Sequence, residues 1–490
     1  MQTSYLALDF GASSGRAIIG TLKDGKLTFT EVHRFANAPS EKDGSFYWDM
    51  DQLFAETKTG IKKALKVEPN LKGIAVDTWG VDYVLVTPNG QFARQAYSYR
   101  DPRTAKMAAA VAKLVPDDKL YAKTGIQSMF FNTSYQLMAH KKAHAGDLKG
   151  TTMLLVPDAI TWMLCGKLAA ELTEASTTQL LDAKKKTWDA GILKALGFPP
   201  ELFPPVALPC TQAGGLRPQL AKMLKCKAIP VFHVGSHDTA SAAAAVPAKA
   251  GAPWAFLSLG TWALFGVEAD QPVLTEKARK AGFSNECGLN GKTLFLSNII
   301  GTWLLQETKR TWDEQGKKVS FNDIEKMAGA SDCCRYFIDP NDPSFHSPCD
   351  MPAKIRAFLA KTGQGKKATD AEIARCIYDS LAFRFKVQLG RMETLTKTKF
   401  ATLHVIGGGC KDKFLLQAIA NATGIPVVAG PVEATAAGNI LAQAVAAGEL
   451  KSLAQARTVV RKSFKCETYK PAKCASLAAD LARFKKVLQS

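Results

Sequence analysis

The chain has 490 residues, 47 % of them hydrophobic and 22 % charged, a balance that supports sizeable buried cores and excludes a disordered or fibrous polymer. Its 63 Lys and Arg against 44 Asp and Glu leave a formal net charge of +19. The basic residues fall in small groups, such as Lys184–Lys186 and Lys366–Lys367, and form neither a single arm nor an RNA-binding motif, so no nucleic-acid partner is expected and the excess reads as a basic surface that steers anionic small molecules.

No stretch has the uninterrupted apolar length of a membrane span, and the N-terminus enters a strand-like run without the pattern of a signal peptide. No membrane contact is expected, and a cytoplasmic location is the default. The 11 cysteines are scattered, with no CxxC pair. They read as reduced, mostly buried thiols, with a disulfide among the late cysteines, Cys466 and Cys474, left open.

Tyr5–Gly20 reads YLALDFGASSGRAIIG, two apolar strands around a Gly/Ser turn. Lys26–Arg34 follows as a further strand, and Met50–Lys66 has helical apolar spacing through Leu53, Phe54, Ile61 and Leu65. Strands are expected at Gly73–Thr78 and Tyr83–Thr87 around the Trp79–Asp82 turn, helices over 103–145, and a helix from Asp158 to Leu164. Ile229–Val234 is a short strand leading into Gly235–Thr239. The Ala, Pro and Gly of 242–255 change the composition abruptly. This predicts two domains, 1–247 and 248–490. The second restarts with another hairpin, Trp254–Val267 (WAFLSLGTWALFGV). Helices are expected over 297–312 and 369–395, a strand at Leu403–Ile406, a turn at Gly407–Gly409, a strand at Ile425–Val428 and an alanine-rich helix over Glu433–Ala447. Strand–glycine–helix order predicts an α/β fold in each half.

Five places are suited to chemistry. Asp9 ends a buried-type strand, and Ala12–Arg16 follows with small residues whose amides can hold phosphate oxygens. Asp9 is suited to holding the water shell of Mg²⁺, which prefers hard oxygen ligands; the plain alternative is an ordinary hairpin turn. Gly407–Gly409 precedes a helix, whose N-terminus favours anions, or is only a tight connection. In Gly235–Thr239 (GSHDT), Asp238 can accept a proton from an attacking hydroxyl, or cap the helix that follows. Asp77–Asp82 (DTWGVD) offers carboxylates, an indole and Gly80 to a sugar, unless Trp79 simply packs in a core. Asn298 and Gln306 are expected on one helical face, either reaching a ligand or lying at the surface.

These segments resemble the FGGY carbohydrate kinases, within the actin-like and hexokinase-like ATPase superfamily. The resemblance runs nearly the whole length, through LDFGASSGRAIIG, DTWGVDYVL at 77–85, YRDPRT at 99–104, STTQLLD at 176–182, GSHDTASA at 235–242, LGTWALFG at 259–266, NIIGTWLLQE at 298–307, IDPNDPSF at 338–345 and the run from His404 to Ile440. It implies two ribonuclease-H-like domains with a central cleft, and ATP with Mg²⁺ as cofactors. The partner it implies is a small-molecule sugar, a ketose, in a monomer or homodimer. Carried over, Ala12, Ser13, Ser14, Gly15, Arg16, Thr261, Gln306 and Gly408 serve ATP. Gly80, His237, Asp238, Thr239 and Asn298 contact the sugar. Asp238 is the base, and Asp9 holds the metal through water. The chain departs from the family pattern at Leu259, Ala263, Phe265, Cys287 and Ala437.

Overall fold

A computed structural model describes residues 2–348, 350–365, 367–473 and 475–489. Lys366 and Cys474 lie outside the described residues. The chain divides into two compact units. Unit 1 holds Met1–Pro247, Glu268–Leu296 and Glu433–Phe464; unit 2 holds Ala248–Val267, Ser297–Val432 and Lys465–Ser490. The first crossing follows Pro247, but two later segments return to unit 1, so a division into 1–247 and 248–490 omits part of its core. Among the described residues, no helix is long and apolar enough to cross a membrane.

The elements that position the site are β1 (Gln2–Phe10), β2 (Ser14–Lys23), β3 (Lys26–Ala36), α1 (Met50–Val67), β4 (Ile74–Thr78), α2 (Val156–Cys165), α3 (Leu172–Ala175), β5 (Thr211–Gly215), β6 (Pro230–His233) and α4 (Asp238–Ala244). They continue with β7 (Trp254–Leu259), β8 (Trp262–Ala269), β9 (Ser284–Cys287), β10 (Thr293–Ile300), α5 (Trp303–Glu314), α6 (Asp370–Thr396), β11 (Thr402–Ile406), α7 (Lys413–Thr423), β12 (Val427–Ala429), α8 (Ala434–Ala446) and β13 (Glu467–Tyr469).

In unit 1 the main sheet runs β5–β6–β4–β1–β2–β3. β1, β2 and β3 form an antiparallel meander, while β4 lies parallel to both β1 and β6. Side chains alternate between the faces of a strand. Leu6, Leu8 and Phe10 of β1 join Leu53, Ile61 and Ala64 of α1 in one core. Asp49 starts α1 by accepting from the Gln52 amide. The alternate face carries Tyr5, Ala7 and Asp9, and α8 covers it. Alanines let α8 lie close to its neighbours. A Cβ on Gly438 would sit 1.8 Å from the Ser241 carbonyl oxygen of α4 and meet backbone.

The strands of unit 2 belong to a seven-stranded sheet of order β9–β10–β8–β7–β11–β12–β13. β7 is antiparallel to β8 and parallel to β11; β12 is parallel to β11 and antiparallel to β13. Each unit therefore has an antiparallel hairpin, β1–β2 or β7–β8, whose first strand continues into parallel strands, the expected ribonuclease-H-like arrangement. The stretch 297–312 differs from expectation. Its first residues end strand β10, and the helix starts only at Trp303. The run TLFLSNII is rich in β-branched and aromatic residues, and Gly301 separates it from the helix. Asn298 and Gln306 therefore share no helical face.

Candidate functional site

In unit 1 the register sets the first cluster. Asp9 pairs with Asp77 across β1 and β4, and with Arg16 across β1 and β2. Two carboxylates thus meet at neighbouring strand ends on the face toward α8. Arg16 answers the charge, donating from Nη2 to Asp9 Oδ2 at 2.5 Å and from Nη1 to Glu433. Burial raises the Asp9 pKa, and Arg16 opposes that rise without cancelling it. Asp77 is fully buried, and its pKa is pushed well above the carboxylate range by burial and then by Asp9. Its Oδ2 accepts from Asn439 Nδ2 at 2.6 Å, and Gln443 in turn donates to Asn439 Oδ1. Asp77 Oδ1 has no hydrogen-bond partner.

The Ala12–Arg16 turn is held from outside. Gly11 donates to the Ser14 carbonyl, and Asn37 donates from its amide to Ser13 and from its side chain to Gly11. Holding the Gly11 and Ser13 carbonyls fixes the planes of the peptides that carry the Ala12 and Ser14 amides, as an anion cradle needs.

The second cluster lies where β6 passes into α4. Thr78 donates its amide to the Ser236 carbonyl. Glu171, before α3, accepts from the Ser236 amide, and Thr173 Oγ1 accepts from the His237 amide. These bonds hold Gly235–Thr239 against the end of β4. Asp238 is the first residue of α4, and its Oδ1 accepts from Thr239 Oγ1 at 3.1 Å. The cap position belongs to His237, which makes no side-chain cap bond. The capping role considered for Asp238 is therefore not the one it plays. Its side chain is 37 % exposed, yet crowding by neighbouring atoms raises its pKa, with the His237 charge pulling it down. The His237 ring lies between two acids, Nδ1 at 3.2 Å from Glu286 Oε2 and Nε2 at 3.5 Å from Asp238 Oδ1. Neither contact is a well-directed hydrogen bond. Burial disfavours the imidazolium, but Glu286, Asp238 and Glu171 together raise its pKa. Gly80 leaves room beside this ring: a Cβ there would come within 3.4 Å of His237 Nε2 and 3.3 Å of Thr177.

Asp82, by contrast, is consumed by the fold. It accepts from Trp48 and Trp79 indoles, from Gln136 and from the Tyr99 amide. Trp79 is 6 % exposed and belongs to the core. The indole and the second carboxylate of DTWGVD are therefore not open to a sugar.

In unit 2 the turns after β7 and β11 lie at the same end of neighbouring parallel strands. Thr261 Oγ1 donates to Gln306 Oε1 at 3.2 Å, and Gln306 Nε2 donates to Thr302 Oγ1 at 3.0 Å. Gly407 has φ +87°, a left-handed conformation open to glycine, and it sets Gly408 at the start of a short 3-10 turn. Leu259 fills the space above Gly409, where a Cβ would be 2.3 Å from Leu259 Cγ. The structure thus brings Thr261, Gln306 and Gly408 to one sheet end. Asn298 stands near the end of β10, where its carbonyl accepts a long bond from Asn341.

Sequence reasoning missed Glu433, Asn439, Gln443, Glu286, Glu171 and Glu174. The first three leave a trace in the sequence: polar groups on an otherwise alanine-rich helix, Asn439 and Gln443 at i, i+4. The others lie in segments whose spatial neighbours are distant in the chain. Among the described residues, no group of three or more His, Cys, Asp or Glu could hold a metal by itself.

Comparisons with known proteins place these clusters in context. Residues 4–245 match the N-terminal domain of the FGGY family of carbohydrate kinases, and residues 255–447 match its C-terminal domain. The rhamnulokinase of Bacteroides thetaiotaomicron is 39 % identical over 490 residues, covering 100 % of both chains. That of Halalkalibacterium halodurans is 40 % identical over 95 % of this chain and 98 % of its own. Among solved structures, gluconate kinase from Lactobacillus acidophilus superposes with a TM-score of 0.81 at 16 % identity, covering 100 % of this chain and 96 % of that one. Plasmodium falciparum glycerol kinase with ADP gives 0.80 at 14 % identity, covering 100 % and 98 %. At such identities these structures speak for the fold alone.

Proposed function

This chain belongs to the FGGY family of carbohydrate kinases, and from that membership we propose that it transfers the γ-phosphoryl group of MgATP to O1 of L-rhamnulose, giving L-rhamnulose 1-phosphate in rhamnose catabolism. The end-to-end similarity to rhamnulokinases carries the choice of sugar. The partly open Asp238 carboxylate, beside His237 and Gly80, carries the choice of base.

In this reading Asp238 accepts the proton of the sugar hydroxyl. The hydroxyl oxygen bonds to the γ-phosphorus, the bond from that phosphorus to the bridging oxygen breaks, and ADP leaves. Gly80, His237, Thr239 and Asn298 contact the sugar. The Ala12–Arg16 turn of unit 1, with Ser13, Ser14 and Gly15, and Thr261, Gln306 and Gly408 of unit 2 serve the nucleotide. Fixed amides and cations suit a reaction that depends on alignment and charge stabilisation. The hard oxygens of Asp9 fit Mg²⁺, which keeps several waters and is usually held through one or two carboxylates and the phosphates. When bound, the ion neutralises phosphate charge. Arg16, already tied to Asp9, keeps that carboxylate aimed. The reaction is placed in the cytoplasm, where its nucleotide is made.

A sister kinase would act on fuculose, xylulose, ribulose or glycerol. A non-catalytic sensor of the same fold would need no open carboxylate at the Asp238 position. ADP release measured across that panel plus L-rhamnulose separates these readings. L-Rhamnulose is expected to give the highest kcat/KM; a higher value for another sugar reassigns the substrate, and no turnover with any sugar favours the sensor.

A further inference from the structure

Glu286 sits on β9, far in sequence from the GSHDT segment, yet it faces the ring that borders Asp238. Its side chain is 8 % exposed, and its Oε2 makes no hydrogen bond elsewhere. Its strand is fixed in place: the next residue, Cys287, donates its amide to Ser176 Oγ at 2.8 Å. Glu286, His237 and Asp238 therefore form an acid–imidazole–acid row, with gaps of 3.2 and 3.5 Å. Nδ1 of the ring has no other partner.

The surroundings make this row consequential. Glu171, just before α3, and Glu174, within it, face the row; both are fully buried, and neither oxygen of Glu174 has a hydrogen-bond partner. Asp9 and Asp77 face Asp238 from β1 and β4, and Tyr99 faces it from the segment just after the short strand Ala96–Tyr97. Every one of these groups is an acid or a phenol. His237 is the cation whose charge pulls the Asp238 pKa down, and without an acid on its far side burial would strip its proton.

We propose that Glu286 is a positioning residue for phosphoryl transfer: it holds His237 as an imidazolium, with Nδ1 turned to itself and Nε2 turned to Asp238, so that Asp238 is ionised and aimed before substrate arrives. The inference rests on Asp238 as the base in the proposed reaction.

Glu286→Gln removes the charge but keeps the shape. With His237 neutral, Asp238 needs a higher pH to ionise. The acidic limb of kcat/KM for L-rhamnulose phosphorylation is expected to move up by about one pH unit or more, so the loss at pH 6.5 exceeds that at pH 8.5. Glu286→Asp is expected to restore much of the wild-type limb. In parallel, NMR titration of histidine-labelled enzyme, with His237 identified among the seven histidines by the His237→Gln variant, is expected to show its midpoint falling in Glu286→Gln. An equal loss at every pH, with limb and midpoint unmoved, overturns the proposal. The histidine titration needs no turnover, so it decides the role of Glu286 toward His237 even if the wild type proves inert with L-rhamnulose. Should Glu286→Gln not fold, His237→Gln removes the same cation and is expected to raise the limb equally; an unmoved limb there overturns the proposal as well.

Discussion

Arg16 concentrates the electrostatics of the strand ends. It is the shared partner of Asp9 and Glu433, and its side chain is 18 % exposed. Removing one member of a largely buried set leaves uncompensated charge. Arg16→Met is expected to lower unfolding free energy by roughly 3 kcal/mol, read by urea denaturation. Arg16→Lys should recover only part, because one ammonium cannot bridge two carboxylates as a guanidinium fork does; full recovery would show that charge alone matters. At this scale much of the candidate site was legible. Asp9, Arg16, His237 and Asp238 stand at strand ends and in polar turns that a one-dimensional reading can find. Asp77 was seen, but not its burial or its bond to Asn439. Glu286 was hidden because nothing in the sequence says which ring a distant strand will face.

Elements were easier to read than their partners. Period-two apolar runs and glycine turns marked both hairpins, and the 3.6-residue spacing marked α1. The stretch 297–312 failed because apolar strand and apolar helix look alike over a few residues, and only Gly301 marks the change. Packing between helices was equally invisible. Gly438 is required where α8 crosses α4, since a Cβ would overlap the Ser241 carbonyl. Gly438→Ala is expected to destabilise by about 3 kcal/mol or more through overpacking. Gly390, exposed on α6, makes the contrast, because a Cβ added there would meet nothing within 4 Å. Gly390→Ala should stabilise by about 0.5–1 kcal/mol through helix propensity. Urea denaturation of the two variants separates packing from propensity; equal and small effects would mean that α8 and α4 can move apart at little cost.

Over the whole molecule, the acids buried around the site make stability depend on pH in an unusual direction. Glu171 is fully buried, and burial raises its pKa from 4.5 to about 7. Its folded value lies above its unfolded one, so the folded state binds the extra proton. This contribution is complete below pH 4.5 and is lost as pH rises through about 7, a change of about 3 kcal/mol. His140 and His233, lowered to about 4 by burial, act oppositely, adding stability as pH rises from about 4 toward 6.5. Glu171→Gln isolates the acid. Oε2 accepts all four hydrogen bonds while Oε1 has none, so an amide oxygen can replace it. The variant is expected to gain stability relative to wild type between pH 5 and 7.5; a constant difference across that range would show that Glu171 is ionised throughout.

The site on Asp238 is tested most directly by the rate at which folded Asp238→Asn makes sugar phosphate from MgATP and L-rhamnulose, with ADP affinity measured beside it by calorimetry. A fall of about two to four orders of magnitude with nucleotide affinity nearly intact is expected. Turnover close to wild type in the folded variant would contradict Asp238 as the group that takes the hydroxyl proton.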